Sequence, residues 1–257
     1  MNKGIERAFS KGKAFIGFIT SGDPDLETTE KIVYAMDKAG CDLIELGIPF
    51  SDPTAEGPVI QEANVRALSN GVTTDKVFEM VNRIRKNTDI PMVFMTYANV
   101  VYSYGIEKFC SKMVEGNMSG MILPDVPFEE KEEFDTVCKE YGLDLISMIA
   151  PTSHQRIQTI AEEANGFIYC VSSLGVTGVR SKITTDIGAM VDLVREVTDV
   201  PVAVGFGIST PEQAKKMANQ SDGAIVGSAI IKIIEKYGKD APQYVEAYVK
   251  EMVDALK

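Results

Sequence analysis

Residues 91–123, PMVFMTYANVVYSYGIEKFCSKMVEGNMSGMIL, contain one complete strand–helix–strand unit. Apolar β-type runs open and close the stretch, at 91–96 and 120–123, and both are short enough to be strands buried on two faces. Between them, four apolar residues recur with helical spacing: Ile106, Phe109, Cys110 and Met113. Such a stripe gives a helix one face that can cover a sheet. The stretch therefore predicts two parallel strands joined by a helix.

The same alternation continues along the whole chain. The β-type runs lie at 14–20, 42–46, 91–96, 120–123, 143–149, 166–171, 201–205 and 223–226. Eight such runs within 257 residues are typical of a closed (β/α)8 barrel, the TIM barrel. An open doubly wound sheet is the alternative, but it usually has fewer strands and often a glycine-rich turn after strand one, where this chain has TSGDPD. We expect one α/β domain over residues 1–257, with an extra N-terminal helix near residues 4–11 that could plug the bottom of the barrel.

Composition argues against several classes of partner and location. The formal net charge of −11 would repel nucleic acids and anionic membranes at long range, although backbone N–H groups could still bind a phosphate locally. No apolar run approaches the ~20 residues of a membrane span. The first residues, MNKGIERAFSKGK, are charged and do not resemble a signal peptide. We therefore expect a cytoplasmic protein.

Cysteine and histidine are too sparse to suggest a metal or redox centre. The four cysteines, Cys41, Cys110, Cys138 and Cys170, form no C-x-x-C pair, so we expect buried free thiols. His154 is the only histidine, and it lies in a loop-like APTSHQ segment where we expect a surface position. A single histidine argues against a His-based metal site and a Ser-His-Asp triad. The prediction is a site without metal.

Two glutamates follow the second predicted strand, at the end where TIM barrels place their active sites. Glu45 lies inside an apolar run, where burial would raise its pKa and keep it protonated part of the time. Such a group can both donate and accept a proton. The alternative is an outward Glu45 that pairs with a basic helix residue. Glu56 lies in a loop stiffened by glycines and prolines, which could hold it over the barrel mouth or leave it as a solvated acid.

Small residues follow the last three predicted strands, in YCVSSLGVTGVR, VGFGIST and IVGSAI. Glycine lets backbone N–H groups approach an anion closely, and the loops after strands seven and eight often form a phosphate site in this fold. We therefore predict a phosphate site here. Asp125, after strand four, could face the same end of the barrel or cap the following helix.

The order and spacing of these motifs resemble the tryptophan synthase α chain family. The motifs are LIELGIPFSDPTAEGPVIQ, MTYANVVYSYGIEKF, LPDVPFEE, GVTG, GFGIS and GSAII, and the likeness runs from about residue 15 to residue 234. The motif on strand two and its long loop is the most specific, whereas the glycine motifs occur in other phosphate-binding barrels. The resemblance implies retro-aldol cleavage of indole-3-glycerol phosphate to indole and glyceraldehyde 3-phosphate, a lyase reaction of tryptophan biosynthesis that needs no cofactor.

The resemblance also implies roles for individual residues. Glu45 matches the family's catalytic glutamate, Glu56 its second carboxylate beside the indole N–H, and Tyr169 a tyrosine near the reacting carbon. The indole pocket would be formed by Phe18, Met95, Ile122, Phe206 and Ile225, and the phosphate site by Gly178, Gly207, Gly227 and Ser228. Thr177 matches a residue of a loop that closes over substrate. Asp52 and Pro53 match the loop that faces a β chain in an α2β2 heterotetramer.

The sequence departs from the family pattern at Glu56, where an Asp is usual, and one extra methylene could misplace the carboxylate. A weakly active or non-catalytic activator of the β chain is therefore an alternative. Other phosphate-binding barrels fit less well, because an indole-glycerol-phosphate synthase should carry a lysine at a strand end and the eight runs contain none. A sugar-phosphate epimerase would need metal-binding histidines.

Overall fold

The computed structural model describes residues 1–171, 186–205 and 207–257. Its eight strands are β1 (Ala14–Thr20), β2 (Leu43–Gly47), β3 (Met92–Met95), β4 (Gly120–Ile122), β5 (Asp144–Ile149), β6 (Asn165–Val171), β7 (Val202–Gly205) and β8 (Gly223–Val226). Each strand pairs in parallel with the next one along the chain, and β8 pairs with β1. The sheet is a closed barrel, which confirms the predicted fold class.

The helices of the described residues surround this barrel. They are α1 (Lys3–Phe9), α2 (Leu26–Lys38), α3 (Pro58–Ser69), α4 (Thr74–Ile84), α5 (Ala98–Tyr104), α6 (Ile106–Glu115), α7 (Glu132–Glu140), α8 (His154–Glu162), α9 (Ile187–Arg195), α10 (Pro211–Ala218), α11 (Ser228–Tyr237) and α12 (Ala241–Leu256). Short 3-10 turns lie at Phe128–Glu130 and Gly238–Asp240. The apolar stripe predicted for residues 106–113 lies on α6, where Phe109, Cys110 and Met113 are buried.

Contacts with the helices show which strand residues face the barrel interior. A side chain at Gly17 would collide with Met36 of α2, so Gly17 faces outward. Phe94 packs edge-on against Phe109 of α6, with ring centroids 5.9 Å apart. Because successive strand residues point to opposite faces, Phe18 on β1 and Met95 on β3 face inward.

The extra helix α1 closes the bottom of the barrel, as predicted. Ile5 is fully buried, and the ring centroid of Phe9 lies 5.6 Å from that of Phe167 on β6. The helix begins one residue earlier than expected because the Asn2 side chain caps it, accepting the Gly4 N–H at 2.9 Å. It ends two residues before the predicted boundary, and the backbone N–H of Ser10 closes its last turn.

Acidic residues stand where β2, β5 and β8 begin, at the amino end of the barrel. Asp42, Asp144 and Asp222 are partly or fully buried there, and each carboxylate accepts a backbone N–H. The donors are Phe15 at 2.9 Å, Asn2 at 2.6 Å and Val202 at 2.9 Å, respectively. These bonds join neighbouring strands and tie the N-terminal segment to the barrel.

Arg85 fastens the loops beneath β3 and β4 at the same end. Its guanidinium donates to the backbone carbonyls of Gly116 at 2.9 Å, Asn117 at 2.9 Å and Ile90 at 2.5 Å. Burial lowers the pKa of Arg85 to about 10, and the group remains charged at neutral pH. One half-buried cation thus satisfies several backbone carbonyls of the helix ends and loops at this end of the barrel.

The burial of the cysteines and the length of apolar segments were also predicted from the sequence. All four cysteines are buried free thiols, as expected. Across the described residues, every helix falls short of the length and apolarity that a membrane crossing needs.

Candidate active site

Glu45 lies at the centre of the barrel's carboxyl-terminal end. It sits on β2 with Phe18 of β1 and Val93 of β3 as its strand neighbours. Its side chain has no exposed surface, and neither carboxyl oxygen has a hydrogen-bond partner among the described residues. Burial raises the pKa of Glu45 to about 8, so the group is largely protonated at neutral pH.

The surroundings of Phe18 place Glu45 inside the barrel and not among the outer helices. A Cβ atom at Gly47 would lie 2.8 Å from Phe18 Cζ, and one at Gly227 would lie 3.3 Å from Phe18 Cβ. The Phe18 side chain therefore occupies the interior between these glycines. Glu45 precedes Gly47 by two residues on the same strand, so its side chain points to that interior. An outward Glu45 paired with a helix residue is wrong.

Tyr169 faces Glu45 from the opposite wall. It is on β6 and only 6% exposed, and both burial and the charge of Glu45 raise its pKa well above the usual value. Its ring lies over Gly205 of β7, where a Cβ atom would be 2.6 Å from Tyr169 Cε1. Gly205 is a residue that the sequence prediction missed, although a glycine near a strand's end is a recognised sign of close approach.

The apolar residues predicted for the pocket share this interior. Met95 pairs with both Gly47 and Ile122, and Ile225 pairs with Ile16, which lies two residues before Phe18. By strand alternation these side chains face inward with Phe18. Together they form an apolar surface of the kind that an indole ring can contact. Phe206 lies outside the described residues.

Glu56 is buried in the loop between β2 and α3, so the reading of a solvated loop acid is wrong. Its side chain is 5% exposed and accepts the Asn64 amide at 2.6 Å. Burial raises the pKa of Glu56 to about 7, and the bond from Asn64 acts in the opposite direction. The backbone carbonyl of Glu56 also accepts the Gln61 side chain at 2.8 Å.

Aromatic side chains fix the path of this loop. The Tyr97 hydroxyl accepts the backbone N–H of Ala55 at 3.1 Å. The Phe50 ring stacks on the Tyr97 ring, with centroids 5.1 Å apart. Residues on both sides of Asp52 and Pro53 are thereby held against the start of α5. Asp52 itself is exposed, and Pro53 is half-buried.

The glycines after β7 and β8 form a suitable place for an anion. Gly207 has φ +75°, a left-handed conformation that favours glycine. Gly227 precedes α11, whose first residue is Ser228 and whose first turn contains no acidic residue. The N–H groups of a helix's first turn and its positive dipole end favour a phosphate. Thr177 and Gly178, predicted for the same site, lie outside the described residues.

Asp125 and His154 have roles away from the centre. Both carboxyl oxygens of Asp125 accept the Ala98 N–H, at 3.0 and 3.2 Å, at the start of α5. Asp125 therefore caps a helix of the preceding βα unit, and the expectation of a cap on the following helix is wrong. His154 is exposed at the start of α8, as expected for a surface residue.

Two threonine hydroxyls at this end were missed by the sequence prediction. Thr20 and Thr96 are each 1% exposed, and neither hydroxyl has a partner among the described residues. Thr20 follows Phe18 by two positions on β1 and so faces the interior. That spacing was the signal available in the sequence. Buried polar atoms without partners are rare in folded proteins and suit a site that receives a ligand.

The described residues contain no cluster of three or more histidine, cysteine or acidic side chains that could hold a metal ion. The chemical groups at the mouth are thus two buried carboxyls with raised pKa values, a buried phenol and glycine-lined backbone. They can transfer a proton, stabilise positive charge and bind an anion.

Known proteins resemble the chain over its whole length. The family model described as "Tryptophan synthase alpha chain" matches residues 6–257. A tryptophan synthase alpha chain of Lacticaseibacillus casei is 47% identical over 97% of this chain and 95% of its own length. The corresponding protein of Lactiplantibacillus plantarum is 49% identical over 96% and 94%.

Solved structures agree with the sequence matches. The tryptophan synthase subunit alpha of Legionella pneumophila has a TM-score of 0.90 and 38% identity, covering 100% of this chain and 98% of its own. A chain from the tryptophan synthase α2β2 complex of Pyrococcus furiosus has a TM-score of 0.86 and 33% identity, with coverages of 95% and 99%. The chain belongs to the tryptophan synthase alpha chain family.

Proposed function

We propose that this chain is a lyase that cleaves indole-3-glycerol phosphate to indole and glyceraldehyde 3-phosphate, the alpha reaction of tryptophan biosynthesis. Its membership of the family supports this reaction. The observation that carries the proposal is Glu45, a carboxyl buried inside the barrel mouth with no hydrogen-bond partner among the described residues and a pKa raised to about 8. A group of that kind is mostly protonated at neutral pH and can still release its proton.

Glu45 would serve as both acid and base in one turnover. Its proton goes to C3 of the indole ring, which makes the ring an electron sink with positive charge at the ring nitrogen. The resulting carboxylate then takes the proton of the side-chain hydroxyl next to C3. The O–H electrons form the aldehyde, the C–C bond breaks, and its electrons restore the indole ring. Glu45 ends the cycle protonated, so no other proton donor is required.

Glu56 would stabilise the positive charge that develops at the indole nitrogen. Its pKa of about 7 leaves a substantial ionised fraction at neutral pH. A preorganised charge in a water-poor site is effective because it needs no rearrangement during the reaction. Tyr169 would contact the reacting carbon, and Phe18, Met95, Ile122, Phe206 and Ile225 would enclose the ring.

The phosphate would be bound across the mouth from Glu45. Gly207, Gly227 and Ser228 would offer backbone N–H groups there, joined by Gly178 and Thr177 from the loop after β6. Holding the phosphate and the ring at opposite ends positions C3 beside Glu45, and such orientation accounts for a large part of enzymatic rate enhancement.

A β chain would bind over the loop that carries Asp52 and Pro53, giving an α2β2 assembly. Tyr102 on the adjoining α5 is 64% exposed, which extends this surface with an aromatic side chain typical of interfaces. One domain, residues 1–257, would carry the whole site, because β1 pairs with β8. Four buried free thiols suit a reducing, cytoplasmic location.

Turnover of indole-3-glycerol phosphate by the purified chain tests the proposal, with indole release followed in the presence and absence of a relative's β chain. We expect release in both cases. Absence of indole even with the β chain would support the alternative, a non-catalytic activator, which no observation on the structure favours. His154→Ala is the control for substitutions in the site. Because His154 is exposed, this change should leave turnover unchanged.

A further inference from the structure

Asn64 is a polar residue on the apolar face of α3. The buried residues of this helix are Ile60, Ala63, Asn64 and Ala67, which recur with helical spacing. Asn64 is only 4% exposed. A buried amide without a partner would destabilise the fold, so its presence on this face requires a specific contact.

That contact is the carboxylate of Glu56. The Asn64 Nδ2 atom lies 2.6 Å from Glu56 Oε2, a short bond typical of a charged acceptor. Both side chains are buried, so water competes little for either group. The bond connects Glu56, in the loop before α3, to Asn64 on that helix, eight residues further along the chain.

The helix that carries Asn64 is itself fastened to the barrel. Arg66 forms two parallel bonds to Asp23, from Nε at 2.8 Å and from Nη2 at 2.9 Å. Asp23 is 1% exposed and belongs to the loop after β1. A bidentate arginine–carboxylate pair fixes orientation as well as distance. Asn64 therefore donates from a rigid support.

We propose that Asn64 is a positioning residue that holds the Glu56 carboxylate toward the indole nitrogen through its amide N–H. The inference rests on the proposed function, because it assigns Asn64 a role in serving the second carboxylate of that reaction. It also gives a reason why glutamate can stand at position 56. The longer side chain has its own donor on α3, which fixes the additional rotatable bond.

The bond has a defined chemical consequence. An N–H donor favours the ionised form of the acceptor, so Asn64 keeps Glu56 more acidic than burial alone would allow. The titratable neighbour from the adjoining βα loop is Tyr97, whose own pKa is raised by burial and by Glu56. Its hydroxyl oxygen accepts the Ala55 N–H, and the phenol stays neutral at physiological pH.

Titration of the Glu56 carboxyl by carbon NMR tests this inference directly. Glutamate labelled at Cδ reports each carboxyl, and Glu56→Gln identifies the signal. In Asn64→Leu, which removes the donor and suits the apolar face, we expect the Glu56 midpoint to rise by about one pH unit. Asn64→Ala, which removes the donor without adding a charge, should also raise it and serves if the leucine variant does not fold. The exposed neighbour Val65→Thr is the control and should leave the midpoint in place.

Kinetics in two backgrounds separate positioning from a merely structural role. We expect Asn64→Leu to lower kcat/KM at pH 7 by about fivefold to tenfold. The acidic limb of the pH profile should move to higher pH. In the Glu56→Gln background, the same change should alter the residual rate less than about twofold. Equal losses in both backgrounds would overturn the inference.

A failure of the Asn64 role and a failure of the Glu56 role give different experimental results. An unchanged Glu56 midpoint in Asn64→Leu would overturn the role of Asn64 whatever the enzyme's activity. Full turnover by Glu56→Gln would overturn the proposed role of Glu56, and the positioning role with it, even if the midpoint moves.

Discussion

The two ends of the barrel differ in the polar groups that lie on or directly beside the strands. At the amino end, the carboxylates of Asp42 and Asp144 accept backbone N–H groups, and Arg85 donates to several carbonyls. At the carboxyl end, the oxygens of Glu45 and the Thr20 hydroxyl have no partner among the described residues. Both groups of side chains belong to the same barrel, at its two opposite ends.

The contrast separates the roles of the two ends. Satisfied polar groups contribute to stability, because each buried donor or acceptor recovers the bond it lost with water. An unpaired buried carboxyl is destabilising when ionised and is retained where a ligand or a reaction uses it. In this fold the carboxyl end carries function and the amino end carries stability. Substitutions at the two ends should therefore have different consequences.

Glu45→Gln should have the largest effect, and at neutral pH that effect is on activity. Glutamine keeps the shape but cannot donate a proton to C3, so we expect cleavage to fall by a factor on the order of 10² to 10⁴ or more. Binding of an indole-3-alkyl phosphate that lacks the side-chain hydroxyl should survive. Isothermal titration and an indole-release assay measure the two properties. Unchanged turnover would reject the role of Glu45.

Arg85→Met should have the second largest effect and act on stability alone. Loss of the guanidinium leaves several backbone carbonyls at the amino end without their donor. We expect the free energy of unfolding to fall by about 3 kcal/mol, with kcat of the folded enzyme within about twofold of wild type. Urea unfolding and turnover below the transition check this pair of outcomes. A loss of kcat without a loss of stability would contradict the division between the ends.

The pH dependence of stability should reveal the buried Glu45 carboxyl. Burial raises the pKa of Glu45 from 4.5 to about 8, so the folded state holds a proton that the unfolded chain releases. The resulting stabilisation is complete below about pH 4.5 and is lost as the pH rises through 8. From pH 6 to pH 9, wild type should lose about 2.7 kcal/mol more than Glu45→Gln, which has no such proton. Parallel stability curves for the two proteins would count against a protonated Glu45.

Gly207→Val should have the smallest of these effects. The left-handed φ of +75° disfavours valine, and a side chain there would crowd the proposed anion site. We expect the affinity for an indole-3-alkyl phosphate to fall about tenfold while free indole binds as before. Calorimetric titration of both ligands makes the comparison. Equal losses would mean that the glycine has only a structural role.

Sequence reasoning recovered the fold because its signals are local. Strands buried on two faces appear as short apolar runs, and helices appear as stripes with a period of 3.6 residues. Glu45 was recognised for the same reason, as a carboxyl inside the apolar run at 42–46. The sequence left open which way the Glu45 side chain points, and the contact of Phe18 with Gly47 decides it.

Other parts of the site depend on contacts that no local pattern shows. Glu56 is buried because Asn64 on α3 donates to it and because Tyr97 holds the loop. Asp125 caps a helix of the preceding βα unit, so its partner Ala98 could not be inferred from the residues around it. The roles of Thr177, Gly178 and Phe206 remain predictions of the sequence alone.

Infrared titration of the Glu45 carboxyl in the resting enzyme measures its protonation state without substrate. The C=O stretch of a neutral carboxyl is separate from that of a carboxylate, and Glu45→Gln identifies the band. The expected result is a neutral acid that keeps its proton through pH 7 and releases it with a midpoint near pH 8. If the band is already lost by about pH 5, Glu45 is an ordinary solvated carboxylate. The barrel mouth would then lack the acid that the reaction needs.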